Sequence, residues 1–153
     1  MGISHGQLET LVDEMLLGIE PRGTHATGLL VVDRKNQPFL EKADVKASTF
    51  VKFRTGLPRR VRTILGHTRL ATQGEPHILE NNHPIQYNSC YAIHNGHINN
   101  DSELFTEFEL DRIAQVDSEI IPALFDKFGL DKAHLALQEL DGGYATAVVD
   151  PER

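Results

Sequence analysis

The sequence has little cysteine, no tryptophan and no long apolar run. Its 153 residues include a single cysteine, Cys90, so an internal disulfide framework is excluded. No apolar stretch approaches the roughly 20 residues of a membrane span, and no signal-peptide pattern opens the chain. With 22 acidic and 15 basic side chains the net charge is −7, which disfavours binding to phosphate backbones. We therefore expect a soluble, cytoplasmic protein that binds neither nucleic acid nor membrane.

The pattern of apolar residues predicts one domain of mixed helices and strands. A chain of this length can bury a core, so residues 1–153 are predicted to form a single domain. Periodicity and turn residues predict helices at 7–20, 101–109, 117–128 and 133–140, and strands at 28–33, 38–43, 61–71, 90–94 and 143–149. Elements of one kind cluster instead of alternating, which favours an α+β fold with antiparallel strands. Residues 74–87 are predicted to form a long functional loop.

The first candidate binding segment is residues 66–74, at the end of a predicted strand. Arg69 and Thr72 lie there, followed by a glycine. The planar guanidinium of an arginine matches the two oxygens of a carboxylate, and a threonine hydroxyl adds a further donor. This segment therefore suits the capture of a small carboxylate.

The second candidate segment is His94-Asn95-Gly96-His97. An Asn-Gly step after a β-rich run is typical of a hairpin turn. The functional interpretation is an oxyanion hole, in which the Asn95 side-chain amide and the Gly96 backbone N–H face developing negative charge. The sequence by itself leaves both interpretations open.

The third candidate segment is Val116-Asp117-Ser118-Glu119. Asp117 precedes a predicted helix, so it is either a plain N-cap or a carboxylate that pairs with a substrate ammonium. Together the three segments describe a site for an α-amino acid. The carboxylate would go to Arg69, the amine to Asp117, and a carbonyl that becomes tetrahedral to Asn95 and Gly96.

Six pieces of sequence, taken in order, resemble those of a known family. They are Arg22-Gly23-Thr24-His25-Ala26-Thr27-Gly28, residues 66–76, Asn82-His83-Pro84, His94-Asn95-Gly96, Val116-Asp117-Ser118-Glu119 and Gly143-Tyr144-Ala145. With these motifs the chain resembles the glutaminase domain of class II, or N-terminal-nucleophile, glutamine amidotransferases, as in glucosamine-6-phosphate synthase. The resemblance extends over most of the chain, from about the first helix to the last strand.

The resemblance implies a fold, an activity and a set of site residues. The fold would be an αββα sandwich of two antiparallel sheets between helix layers, and the activity the hydrolysis of L-glutamine to glutamate and ammonia without a cofactor. Substrate binding falls to Arg69, Thr72, Asp117 and His94, and the oxyanion hole to Asn95 and Gly96. An acceptor or synthase subunit would be the partner.

The family nucleophile is an N-terminal cysteine whose free amine acts as base. This chain opens Met1-Gly2-Ile3-Ser4, so as written it is expected not to hydrolyse glutamine. We expect first a chain truncated at both ends, second an inactive amino-acid-binding or scaffold domain of the same fold, and third a substitute nucleophile. Cys90 lies in a predicted core strand and is expected to be buried and inert.

The eight histidines leave a zinc site as the alternative function. His94 and His97 have the spacing of a ligand pair, and His67, His77 and His83 would have to join them. Neither a cysteine nor paired carboxylates accompany that pair in the sequence. We therefore favour histidines that orient loops through hydrogen bonds, and we predict no metal.

Overall fold

A computed structural model describes residues 2–152 and divides the chain into two compact units. The first unit comprises the chain up to Thr72 together with Asn82–Pro84, and the second comprises Gln73–Asn81 and the chain from Ile85 onward. Each unit contains a three-stranded antiparallel sheet. Among the helices of residues 2–152, none is long and apolar enough to cross a bilayer. A single domain over 1–153 stays a prediction.

The first unit has a sheet built around an almost completely buried strand. Its elements are α1 (His5–Ile19), a 3₁₀ turn (Glu20–Arg22), β1 (Ala26–Asp33), β2 (Pro38–Ala43), α2 (Ala47–Phe50) and β3 (Val61–Arg69). The strand order is β2-β1-β3. Every β1 position except the last is buried, which explains why this strand reads as a continuous apolar run. The predicted first helix, hairpin and third strand are confirmed.

Helix α1 begins with a capping box. The Ser4 side chain accepts a hydrogen bond from the Gln7 backbone N–H at 3.3 Å, and the Gln7 side chain accepts one from the Ser4 N–H at 2.7 Å. Two backbone N–H groups at the start of the helix are thereby satisfied. Val12 and Leu16 lie on the buried face and join the core of the first unit. The helix ends at Ile19, and Pro21 lies in the 3₁₀ turn that follows.

The second unit combines a sheet with the three remaining α-helices of the described residues and with three 3₁₀ turns. Its elements are a 3₁₀ turn (Leu79–Asn81), β4 (Ile85–Tyr87), β5 (Cys90–Ile98), α3 (Asp101–Glu107), a 3₁₀ turn (Asp117–Glu119), α4 (Ile120–Phe128), a 3₁₀ turn (Leu130–Lys132), α5 (Ala133–Glu139) and β6 (Gly142–Val149).

The strand order of this second sheet is β4-β5-β6. Its core includes Ile120, Ile121 and Leu124 of α4, all fully buried. The three later helices and the last strand are confirmed. The predicted loop at 74–87 contains strand β4, which is too short to give a periodic signal.

Strand β5 continues through the Asn-Gly step, so the hairpin interpretation is wrong. Asn95 pairs with Ala145 and Gly96 with Tyr144 across the β5–β6 ladder. Gly96 has φ +136°, and a Cβ atom there would collide with the carbonyl oxygen of Gly143. The glycine is required by this close approach between two strands and not by a turn.

Asp117 is not a helix cap, so the N-capping interpretation is also wrong. The residue at the N-cap of α4 is Glu119, and its side chain makes no capping hydrogen bond. The Asp117 carboxylate instead accepts a hydrogen bond from the backbone N–H of Ile98 at 2.8 Å. The Asp117 carboxylate therefore binds to strand β5. The two antiparallel sheets with their helices confirm the predicted α+β fold class.

Candidate functional site

Arg69 ends strand β3 in the first unit, with only 5% of its surface exposed. Its Nη1 donates a hydrogen bond to the side-chain oxygen of Asn82 at 2.8 Å, and Asn82 is fully buried. A planar guanidinium fixed in this way is preorganised for a planar anion. Thr72, three residues further on, is exposed.

The loop that precedes β1 packs on the backbone around Arg69. The His25 N–H donates to the Arg69 carbonyl oxygen at 3.0 Å, and the Ala71 N–H donates to His25 Nδ1 at 2.9 Å. A Cβ atom on Gly23 would collide with the Arg69 carbonyl group. The Arg-Gly-Thr-His motif therefore acts by holding the end of β3 in place.

In the second unit, strand β5 presents Asn95 and Gly96 at the surface. Both residues are exposed, whereas His94 before them and Ile98 after them are buried. The Asn95 amide is thus open to a ligand while its backbone is fixed by pairing with β6. A fixed backbone and an open polar side chain are what an oxyanion hole requires.

Asp117 lies against the same strand and is 8% exposed. Its Oδ2 accepts the Ile98 N–H, its Oδ1 accepts the Ser118 hydroxyl at 3.3 Å, and His97 Nδ1 lies 3.4 Å from Oδ2. The structure therefore brings Asp117 together with the strand that carries Asn95 and Gly96.

His94 is linked to Asp117 through Ser118. His94 Nδ1 lies 2.7 Å from Ser118 Oγ, and the Ser118 hydroxyl lies within donating distance of Asp117 Oδ1, at 3.3 Å. Both contacts are satisfied when His94 Nδ1 carries a proton and donates it to Ser118. Burial, reinforced by His97 and opposed by Asp117, lowers the pKa of His94 below its ordinary value. His94 is therefore a buried imidazole beside Ser118 whose charged form is disfavoured by burial.

The remaining predictions concern thiol and metal chemistry. Cys90 starts β5 and is fully buried in the core of the second unit, so the prediction of a buried cysteine is confirmed. Within residues 2–152, no group of three or more His, Cys, Asp or Glu side chains is arranged to hold a metal ion.

Two supporting residues were not predicted from the sequence, although each lies within a motif. Asn82, the partner of Arg69, belongs to the Asn-His-Pro motif, and Ser118 follows Asp117 directly. Their roles depend on contacts with residues 13 and 24 positions away. Such long-range partners leave no local pattern in a sequence.

Comparison with known proteins identifies the family. A family model described as a glutamine amidotransferase domain matches residues 67–153. The chain belongs to this family. The matched residues include Arg69 and the whole of β5 and Asp117, so the glutamine amidotransferase domain contains each of the candidate site residues.

Relatives of the domain are considerably longer. The glutamine–fructose-6-phosphate aminotransferase (isomerizing) of Gluconobacter oxydans is 31% identical over an alignment of 157 residues. The alignment covers 96% of the chain and 26% of that protein. The enzyme of the same name from Mesorhizobium japonicum is 30% identical over 156 residues, covering 96% and 25%. The chain thus spans about a quarter of the length of these relatives.

Solved structures share the fold. Glutamine phosphoribosylpyrophosphate amidotransferase from B. subtilis, complexed with ADP and GMP, superimposes with a TM-score of 0.74 at 24% identity, over 94% of the chain and 33% of that protein. A second structure, described as the allosteric regulatory enzyme of purine biosynthesis, gives 0.71 at 22% identity, over 92% and 32%. Both likenesses support the fold expected from the sequence motifs.

Proposed function

We propose that this domain binds L-glutamine and serves its hydrolysis to glutamate and ammonia. Arg69 and Thr72 bind the α-carboxylate, Asp117 binds the α-ammonium group with His94 in support, and Asn95 with Gly96 forms the oxyanion hole. The observation that carries the proposal is the contact between the Asp117 carboxylate and the Ile98 N–H. It fixes a buried anion on the strand that presents the Asn-Gly step, and an ammonium group is its natural ligand.

The chemistry requires a nucleophile, which the family resemblance assigns to an N-terminal cysteine. Its thiolate attacks the side-chain carbonyl carbon of glutamine, and the carbonyl oxygen becomes an anion that Asn95 and Gly96 stabilise. The carbon–nitrogen bond breaks, and ammonia leaves with a proton from the amine that served as base. Water then cleaves the thioester to give glutamate. Cys90 is buried and does not take this role.

We further propose that the ammonia passes to a synthase portion or subunit that aminates a sugar phosphate. The support is the name of the relatives, which are aminotransferases acting on glutamine and fructose 6-phosphate and are about four times as long as the chain. The acceptor chemistry would then lie in the part of such a protein that this domain does not align with.

Titration calorimetry with L-glutamine tests the binding proposal. We expect Arg69→Ala to weaken binding by about thirtyfold or more, because the carboxylate loses a buried, charged partner. Arg62→Ala is the matched control, since Arg62 lies on the same strand but is exposed, and it should bind like the unaltered chain. Equal affinities for all three proteins would contradict the carboxylate assignment.

The alternative is a non-catalytic amino-acid-binding or scaffold domain of the same fold, and glutamate release tests whether any residue of this chain acts as a nucleophile. The 153-residue chain has no thiol other than the buried one, so we expect glutamine binding with little release of glutamate. Robust release by this chain would show that another group acts as the nucleophile.

A further inference from the structure

The segment immediately before Asp117 is irregular, yet its backbone is held at three successive residues. The N–H groups of Ile113 and Ala114 donate to the carboxylate of Glu119 at 2.9–3.2 Å. The N–H of Gln115 donates to the side-chain oxygen of Asn81 at 2.7 Å. Glu119 and Asn81 are both fully buried. We name residues 113–116 the approach segment, since they lead directly to Asp117.

Asn81 uses both ends of its side-chain amide. While its oxygen accepts the Gln115 N–H, its nitrogen donates to the Gln115 side-chain oxygen at 3.1 Å and to the Glu75 carbonyl oxygen at 3.0 Å. All of these partners belong to the second unit. A buried amide with both donors and its acceptor engaged holds its partners in a single arrangement.

Asn81 thereby ties the approach segment to the loop of residues 73–81, which we name the Gly74 loop. Gly74 has φ +71°, and a Cβ atom there would lie 2.9 Å from Asn81 Nδ2 and 3.1 Å from a methyl carbon of Val116. The Gly74 loop follows Thr72 directly in sequence. Asn81 therefore joins the segment that follows Thr72 to the segment that precedes Asp117, and both of these residues are predicted to bind the ligand.

The two anchors of the approach segment differ in range. Glu119 lies five to six residues from the N–H groups that it accepts, whereas Asn81 lies 34 residues from Gln115. A local anchor fixes the shape of the segment, but only a distant one fixes its place relative to the Gly74 loop. Loss of the distant anchor would leave Asp117 held by the Ile98 N–H and the local turn, but its position relative to the Gly74 loop would no longer be fixed.

We propose that Asn81 is a positioning residue that sets the place of Asp117 for binding of the ligand ammonium group. The inference rests on the proposed glutamine-binding function. Asn81 acts through the approach segment and does not itself need to touch the ligand. Its contribution is to remove alternative positions of a charged group before binding, which raises affinity through preorganisation.

Asn81→Asp is the sharpest test because it keeps the shape of the side chain. The acceptor for the Gln115 N–H remains, but a carboxylate oxygen replaces the nitrogen that faced two carbonyl oxygens, so two attractions become repulsions. We expect the Kd for L-glutamine, measured by calorimetry at a temperature where circular dichroism shows the variant folded, to rise about tenfold or more. Amide exchange at Gln115 should accelerate in the same protein.

Asn88→Asp is the matched control. It makes the same chemical change at an exposed residue, whose side-chain nitrogen donates to Asp126 at 2.8 Å, and its Kd should equal that of the unaltered chain.

Gln115→Leu is the second test variant, to be used if Asn81→Asp fails to fold. Gln115 is exposed, and this change removes one partner of Asn81 without placing a charge in the core, so we expect a weakening of about threefold.

The outcomes separate the two proposals. A folded variant with a lowered thermal midpoint and an unchanged Kd would mean that Asn81 is merely structural, and it would overturn the positioning role alone. Failure of the unaltered chain to bind L-glutamine would overturn the proposed function, and the positioning role with it. Weakened binding in Asn81→Asp and Gln115→Leu, with Asn88→Asp unaffected, would support both.

Discussion

Gly96 shows how one residue links the backbone of β5 to the candidate oxyanion hole. At φ +136° it occupies a region that side chains disfavour, and the neighbouring strand leaves no room for a Cβ atom. Gly143 lies on that neighbouring strand but has open space at its Cβ position and no positive φ. The same residue type is therefore required at position 96, where a Cβ atom would collide with the backbone, but not at position 143, where there is room for one.

We predict that Gly96→Ala lowers the free energy of unfolding by about 2–3 kcal/mol, because strain and a backbone collision are both introduced. Gly143→Ala should change it by no more than about 0.5 kcal/mol. Urea denaturation of the two variants and the unaltered chain measures the difference. A Gly96→Ala protein as stable as Gly143→Ala would show that β5 and β6 can separate at this point without cost.

At the scale of elements, helix α1 is tied to the segment after α2 by one arginine. The side chain of Arg54 is 4% exposed, and its guanidinium contacts Glu9 and Asp13 at 2.6 Å each. Glu9 also accepts the Leu57 N–H at 2.6 Å. Burial raises the pKa of Glu9, but the hydrogen bonds from Arg54 and Leu57 outweigh it and the net pKa is lowered.

We predict that Arg54→Ala destabilises the domain by about 2–3 kcal/mol, since two carboxylates one helical turn apart lose the cation between them. Partial exposure of Glu9 and Asp13 keeps the loss below that of a fully buried pair. Arg62→Ala, which removes an exposed arginine bonded to Asn36, should cost about 0.5 kcal/mol or less. Equal midpoints in urea denaturation would rule out a stabilising role for the Arg54 cluster.

Elements also show where local sequence patterns succeed and where they fail. Helix α1 was predictable because its cap and apolar spacing are local. The extent of β5 was not, because Asn-Gly has the same local signature in a turn and in a strand. The ladder with β6, some fifty residues away, decides between the two.

At the scale of the whole molecule, the buried histidine couples stability to pH. His94 has a lowered pKa in the folded state through burial, with His97 adding to the effect and Asp117 opposing it. In the unfolded chain its pKa returns to about 6.5. Between those two values the unfolded chain binds more protons, so the contribution of His94 to stability falls as pH drops below about 6.5.

We predict that the advantage in unfolding free energy of the unaltered chain over His94→Gln shrinks between pH 7.5 and 5.5. A pKa difference of one corresponds to about 1.4 kcal/mol. His77→Gln is the control, because the His77 side chain is exposed, and its difference from the unaltered chain should stay constant. Urea titrations at several pH values measure both. A constant advantage over His94→Gln would mean that His94 titrates alike in the folded and unfolded chains.

The sequence by itself determined the helices, most strands, the α+β class and the order of the motifs, because these depend on residues close together in the chain. Tertiary structure alone decided that Asp117 bonds to β5 and not to its own helix, that Ser118 orients His94, and that Asn81 anchors the approach segment. The physical reason is that each of these hydrogen bonds joins residues at least 19 positions apart. A short polar side chain has many possible partners, and only the packed chain selects one.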